Sequence, residues 1–297
     1  MEAYGLTHMS KQQTMRQALA DAHALGLDRL DAQLLLLHAL GKQASQRAWL
    51  LAHDDELLQA HVADTFRAMS LRRAAGEPLA YIVGYKEFFG LNFAVDARVL
   101  VPRPDTETLV LWAVELLNNV AEPAIIDMGT GSGAVAIAIA HTLKTSVTAT
   151  DVSESALAVA SRNARQLGVA VQFVHSNWFE KVSGHYQVIV SNPPYIARTD
   201  PHLTALTHEP LKALTAGDDG LDDIRQIVQM APKHLHFQGW LLLEHGYDQA
   251  GAVCELLRQR GFEQVQSRSD VAGIARCSGG QWPVSKSQDN QTLIFKG

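Results

Sequence analysis

Two short stretches of this chain carry residue types at spacings that can do chemistry. The first is Asp127-Met128-Gly129-Thr130-Gly131-Ser132-Gly133, read as the end of a strand running into the start of a helix. Glycines at such a junction remove Cβ atoms, so the backbone turns sharply and lies against a ligand. The second is Asn192-Pro193-Pro194-Tyr195, which follows a strand over 187–191 and therefore sits at the carboxyl edge of a sheet, where α/β proteins bind ligands. An amide or ring-attached amino nitrogen is a poor nucleophile because its lone pair is delocalised, so an enzyme acting on one must orient it. Asn192 Oδ1 and the Pro193 carbonyl can each accept one N–H of such a group, and prolines supply no competing backbone donor. Tyr195 offers a flat wall for a planar amide or base. The pattern points to transfer onto nitrogen, driven by approach geometry and polar orientation without an ionised base.

The glycine spacing narrows the ligand. A dinucleotide loop reads Gly-x-Gly-x-x-Gly, whereas a loop for S-adenosylmethionine commonly reads acidic-x-Gly-x-Gly-x-Gly, the form found at 127–133. Asp127 disfavours a pyrophosphate at the helix start and suits a methionyl ammonium. Asp151 ends the next expected strand, where its two oxygens can accept from both ribose hydroxyls of an adenosine, a feature that suits NAD and S-adenosylmethionine equally. A nicotinamide-dependent oxidoreductase is thus one rival reading, and its catalytic acid is not found.

Positioning these stretches falls to two different textures of chain. From about Ser10 to Arg73, leucine and alanine recur at three- and four-residue spacings without proline, which predicts a small helical bundle whose core includes the run Leu34 to Leu37. Gly26 and Gly41 break it into short helices, and Ser45 and Asp54 are expected as N-caps. Tyr81 to Val101 is aromatic and β-branched around Gly90 and predicts a β-hairpin. Pro102 and Pro104 stiffen a connector, after which Asp105 or Thr106 is expected to cap a helix reaching about Asn118. Beyond it strands and helices alternate, which implies a parallel sheet with helices on its faces. Strands are expected over 124–127, 147–151, 171–174, 187–191 and 240–244, and helices over 133–141, 153–166, 221–231 and 249–260. A final strand pair, 263–268 with 292–295, is expected to flank a loop.

Composition sets outer bounds. Of 297 residues, 47% are apolar and 19% charged, enough to bury a core and far from a disordered chain. With 25 Lys and Arg against 31 Asp and Glu, the formal charge of −6 argues against a large non-specific hold on nucleic acid. No apolar run approaches the ~18 residues of a membrane span, no secretory signal is readable, and the expected compartment is the cytoplasm. Cys254 and Cys277 cannot build a disulfide framework or a cysteine zinc site, and His234-x-His236 lacks a third ligand, so no metal is expected.

Taken together, 127–133 and 192–195 resemble the class I S-adenosylmethionine-dependent methyltransferases, and more narrowly the HemK/PrmC family of protein-(glutamine-N5) methyltransferases. The narrower resemblance is carried by Leu100-Val101-Pro102-Arg103-Pro104-Asp105-Thr106-Glu107, Gly76-Glu77-Pro78-Leu79-Ala80-Tyr81-Ile82, Glu209-Pro210, Asp219-Gly220-Leu221 and the segment from Gly239 to Gly246. It implies a seven-stranded, mostly parallel α/β sheet with a small N-terminal helical bundle and a linking hairpin. The expected divisions are a helical substrate-recognition domain over 1–78, hairpin and linker over 79–104, and a methyltransferase domain over 105–297. By the same resemblance, Gly129, Thr130, Gly131, Ser132 and Gly133 embrace the methionine part of the cofactor, Asp151 the ribose and Trp178 the adenine. Asn177 stands where the family usually has an acidic residue, and its carbonyl can still accept. Asn192, Pro193, Pro194 and Tyr195 grip the glutamine amide of a Gly-Gly-Gln motif in peptide-chain release factors, the implied partners. The tetrapeptide is shared with DNA and RNA amino-methyltransferases, so methylation of an exocyclic base nitrogen is the alternative. The chain's own Gly279-Gly280-Gln281 repeats the substrate tripeptide and is read as a turn in the last loop.

Overall fold

A computed structural model describes residues 13–283. They divide into two compact units, the first ending at Gly84 and the second beginning at Tyr85. The first is helical: α1 (Met15–Ala24), α2 (Arg29–Ala39), α3 (Arg47–Ala52), α4 (Ala60–Ala74) and α5 (Leu79–Val83). Thr14 and Gln17 close a capping box on α1, and Asp28 caps α2 through the Asp31 N–H. The expected caps are not used. Ser45 lies within a 3₁₀ turn, and the Asp54 carboxylate accepts from the Arg16 guanidinium at 2.9 and 3.1 Å instead of from a helix start. Leu35, Leu36 and Leu37 are buried with Met15, Ala18, Leu50 and Phe66, so the leucine run is core except for Leu34, which is half-buried.

The hairpin is shorter than its texture suggested. Tyr81 to Val83 belong to α5, which Gly84 ends in a left-handed conformation, and the strands are β1 (Tyr85–Phe88) and β2 (Leu91–Ala94). Phe89 and Gly90 both take positive φ, the geometry of a tight hairpin turn. Phe88 and Phe93 bury completely and meet edge to face at 6.1 Å. The connector after it makes a 3₁₀ turn over Pro104–Thr106 and enters α6 (Glu107–Leu117). Neither Asp105 nor Thr106 caps that helix with its side chain: Asp105 pairs with Arg276, and Thr106 is itself helical and buried.

The rest of the second unit alternates as expected: β3 (Ile125–Met128), α7 (Ala134–Leu143), β4 (Val147–Asp151), α8 (Glu154–Leu167), β5 (Val171–His175), β6 (Tyr186–Ser191), α9 (Asp222–Met230), β7 (Leu235–Glu244), α10 (Ala250–Arg260), β8 (Glu263–Ser269) and β9 (Ala275–Gln281). They form a seven-stranded sheet in the order β5-β4-β3-β6-β7-β9-β8, in which only β9 runs against its neighbours. The chain steps outward from β3 through β4 to β5, then returns to place β6 on the other side of β3. That reversal is the switch point at which open α/β sheets bind ligands.

One end of the sheet differs from expectation. The partner of β8 is β9, built from residues read as loop, and the expected strand 292–295 lies outside the described residues. Gly279 and Gly280 are there for packing, not turning. A Cβ on Gly279 would come within 2.7 Å of the Leu241 carbonyl oxygen and 3.0 Å of the Trp112 ring, and one on Gly280 within 2.9 Å of Phe262 Cβ. Among the described residues no helix is long and apolar enough to cross a membrane.

Candidate active site

The two chemical stretches arise from adjacent strands and meet at one edge. Met128 at the end of β3 stands opposite Ser191 at the end of β6, and Ser191 stands opposite Leu243 on β7. The glycine loop leaves β3 with Gly129, Gly131 and Gly133 at φ values of +74°, +55° and +84°. At Gly133 the close approach itself demands glycine, since a Cβ would lie 2.9 Å from Ile137 Cδ1 and 3.1 Å from Ala160 Cβ. Asn163 on α8 donates to the Ser132 carbonyl at 2.9 Å and pairs twice with the Ala94 backbone, which ties the loop to the hairpin.

A cavity of about 780 Å³ opens here, within the range of small-molecule sites. Asp127, Gly129, Thr130, Gly131, Ser132, Asp151, Asn177, Trp178, Asn192 and Pro194 line it. Asp127 is buried, and Thr130 Oγ1 (2.6 Å) and the Ala136 N–H (3.2 Å) donate to its Oδ2. Burial pushes its carboxyl up to about 7, against those two hydrogen bonds. Asp151 is also raised by burial, although Oδ2 accepts from the Gly131 N–H and Oδ1 from the Ser153 N–H. Each Asp151 oxygen keeps a second lone pair for a ribose hydroxyl. Two desolvated carboxylates on one cavity, neither in a salt bridge among the described residues, suit a cationic guest. S-adenosylmethionine, with its sulfonium and ammonium, has that chemistry.

The Trp178 ring stands over the loop, 3.4 Å from where a Gly129 Cβ would be, and its Nε1 donates to Asp223 Oδ1 at 3.2 Å. Asn177 is exposed at the rim and donates to Glu180 Oε1 at 2.7 Å. Asn192 is half-buried and donates through Nδ2 to Thr106 Oγ1 at 3.2 Å, which leaves its Oδ1 as the acceptor for a guest. Pro193 and Tyr195 are not among the lining residues. Tyr195 turns its hydroxyl to Glu244 Oε1 at 3.3 Å, and burial pushes that hydroxyl above the usual phenol range. Behind the loop, Gln249 Nε2 donates to the Tyr195 carbonyl at 3.0 Å, and Gly220 lies so close that a Cβ would be 2.2 Å from that oxygen.

Comparison with known proteins follows the same division. The family described as PrmC N-terminal domain matches residues 12–84, and the family described as Methyltransferase small domain matches 103–217. A release factor glutamine methyltransferase of Bordetella pertussis is 48% identical over 272 residues, covering 90% of this chain and 98% of that protein. The chain belongs to the release factor glutamine methyltransferase family. Another member, from Burkholderia pseudomallei, is 47% identical over 86% of this chain and 93% of its own length. A solved methyltransferase from Pyrococcus furiosus shares the fold alone, with a TM-score of 0.51 at 19% identity, covering 73% of this chain and 98% of its own.

In this member of the release factor glutamine methyltransferase family, sequence reasoning missed several residues around the site. Glu209 is buried and accepts from the Val101 N–H at 3.1 Å and from the Arg103 guanidinium, so Arg103 is held by an ion pair. Thr106 and Asp223 contact Asn192 and Trp178 from segments read only as helix starts. The signal for Glu209 and Thr106 was their place in the quoted family segments; for Asp223 there was none. His234 stacks on Phe179, His236 meets His185 at a tilt of 38°, and among the described residues no group of three potential ligands gathers.

Proposed function

We propose that this protein methylates the side-chain amide nitrogen of the glutamine in the Gly-Gly-Gln motif of peptide-chain release factors. S-adenosylmethionine is the methyl donor of the enzyme family. When bound, it supplies an electrophilic methyl group on a sulfonium. Asp127 and the 129–133 loop would hold its amino-acid end, Asp151 its ribose, and Trp178 with Asn177 its adenine.

The observation that carries the reading is the Asn192 amide: its NH₂ donates to Thr106, and its oxygen, which accepts no hydrogen bond among the described residues, can meet a substrate N–H at the cavity. Asn192 Oδ1 would accept one N–H bond of the glutamine amide, and the Pro193 carbonyl, outside the cavity lining in the free protein, is the expected acceptor for the other, so that the pair aims the nitrogen along its out-of-plane lobe. The proton lost from nitrogen passes to water. Tyr195, expected as a wall, serves instead from behind by bracing the loop through Glu244. The division into a helical recognition domain and a catalytic domain is part of the same proposal, as is a cytoplasmic site of action, where translation factors are. It is supported by the PrmC N-terminal domain match and by Leu51, Leu57 and Leu71, all exposed on the helical unit.

The test is transfer of isotopically labelled methyl from the donor to a release factor, with oligonucleotides run in parallel. Label on the motif glutamine, lost when that residue is replaced by Asn, is expected. Label on oligonucleotides with release factors untouched would favour the base-methylating alternative.

A further inference from the structure

Pro193 and Pro194 bring the acceptor loop no N–H with which to join a neighbouring strand. Pairing of β6 with β7 ends at Ser191 opposite Leu243. Backbone pairing resumes at Ile196, whose N–H donates to the Leu214 carbonyl at 2.9 Å and whose carbonyl accepts from the Ala216 N–H at 3.0 Å. Side chains hold the span between. Asn192 donates to Thr106, the Tyr195 hydroxyl donates to Glu244, and the Tyr195 carbonyl accepts from Gln249 Nε2 at 3.0 Å.

Gln249 stands at the N-cap position of α10, yet its side chain makes no capping bond. Ser, Thr, Asp or Asn would serve a helix start better, so capping does not account for a glutamine here. Its carboxamide instead joins three segments. Oε1 accepts from the Gly246 N–H at 2.8 Å, and Nε2 donates to the Tyr195 carbonyl and, at 3.3 Å, to the Asp219 carbonyl. A backbone N–H only donates and a carbonyl only accepts, so these partners fix which end of the carboxamide faces which. Gly220 keeps the space open, since a Cβ there would lie 2.8 Å from Gln249 Nε2.

Gly246 is held in turn. His245 is fully buried, with Nδ1 2.8 Å from the Gly246 carbonyl oxygen and Nε2 2.7 Å from Ser278 Oγ on β9. Burial lowers its pKa below the ordinary imidazole value, so the ring is neutral. The carbonyl can only accept; Nδ1 therefore carries the ring proton, and Nε2 accepts from Ser278. With its proton on that bond, Ser278 accepts from Ser267 Oγ on β8 at 2.7 Å. The bonds run in one direction, from the antiparallel edge of the sheet through His245 to Gly246.

We infer that Gln249 is a positioning residue for methyl transfer: it clamps the Tyr195 end of the acceptor loop to Gly246, which His245 fixes to the edge of the sheet. The inference rests on the reading of 192–195 as the loop that holds the substrate amide. Thr106 holds one end of that loop and Gln249 the other, so the Asn192 and Pro193 acceptors between them keep one spacing.

The test compares Gln249→Glu with Gln249→Met. Glutamate keeps an oxygen to accept from Gly246 and loses the donor to Tyr195; methionine loses both. In steady-state methylation of a release factor, each should lower kcat by about 10- to 10²-fold, the scale of a reacting group held out of place, with the donor dissociation constant within about twofold of the natural value. The second readout needs no substrate. The Ile196 amide nitrogen is bonded to the Tyr195 carbonyl carbon, so its ¹⁵N–¹H signal in the free protein reports the hydrogen bond at that carbonyl. It should move in Gln249→Glu while the signals of Gly129 and Gly131 stay, and ring ¹⁵N spectra should place the His245 proton on Nδ1. A Gln249→Glu enzyme with full kcat, a donor affinity that falls as far as kcat, an Ile196 signal that stays in place, or a His245 proton on Nε2 would each overturn the inference. Absence of release-factor methylation by the natural protein, with the Ile196 and His245 signals as expected, would uphold the clamp and strike at the functional reading alone.

Discussion

The Ser191 hydroxyl donates to the Met128 carbonyl at 2.6 Å, in the fully buried seam between β6 and β3. The bond joins the root of the acceptor loop to the root of the cofactor loop, one residue before each begins. Spacing between methyl donor and acceptor nitrogen is thus inherited from strand register, which tolerates little drift in a close-packed sheet. Ser191→Ala should cost about 1 kcal/mol in chemical denaturation. It should also lower kcat more than it weakens donor binding, as read by steady-state kinetics beside calorimetry.

Cofactor affinity should depend on pH through Asp127. Its carboxyl, held at about 7 by burial, is partly protonated in the free protein at neutral pH. A cationic ligand prefers the ionised form, so binding below that value must expel a proton. Affinity measured by titration calorimetry should rise from about pH 6 to about 7.5 and then level off. Asp127→Asn should bind about tenfold or more weakly, in line with a lost charge-assisted contact, and its affinity should be nearly flat in pH.

Asn192→Ala removes an acceptor aimed at the substrate and leaves the glycine loop intact. Turnover should fall by about 10²-fold or more, while the donor dissociation constant stays close to that of the natural protein. Equal losses in both would place Asn192 on the cofactor.

Stability should carry the imprint of Glu244. Its folded value of about 7 lies above the ordinary 4.5, so between these limits the native state holds a proton that the unfolded chain has released. The contribution of this group therefore falls as pH rises through that window. Glu244→Gln has no such dependence. Its stability relative to the natural protein should improve between pH 4.5 and about 7, by as much as about 3 kcal/mol, measured by urea denaturation at several pH values.

Features that rest on a few consecutive residues were legible in the sequence. The strand-to-helix glycine loop, Asp151 at its strand end and Asn192 after its strand are each local patterns, and the alternation around them implied the parallel sheet. What escaped depends on contacts between distant segments. Thr106 read as a cap because its partner Asn192 lies 86 residues away, and Tyr195 read as a wall because Glu244, 49 residues on, could not be seen to draw its hydroxyl inward. Gly279 and Gly280 read as a turn, since nothing local distinguishes a glycine that bends the chain from one that makes room for Trp112 and Phe262. That same strand places Gln281 away from its own site. Its amide donates to the Gln238 carbonyl and accepts from Gln264, and it lies opposite Trp240, well short of the catalytic end of β7 at Glu244.

A crystal structure with S-adenosylhomocysteine and a peptide containing Gly-Gly-Gln would show donor and acceptor together. The demethylated cofactor should lie against Gly131 and Asp151, with the glutamine NH₂ hydrogen-bonded to Asn192 Oδ1 and its nitrogen about 3–3.5 Å from where the transferred methyl carbon would sit. A cofactor bound away from the glycine loop, or an Asn192 oxygen turned from the glutamine, would overturn the assignment of both loops.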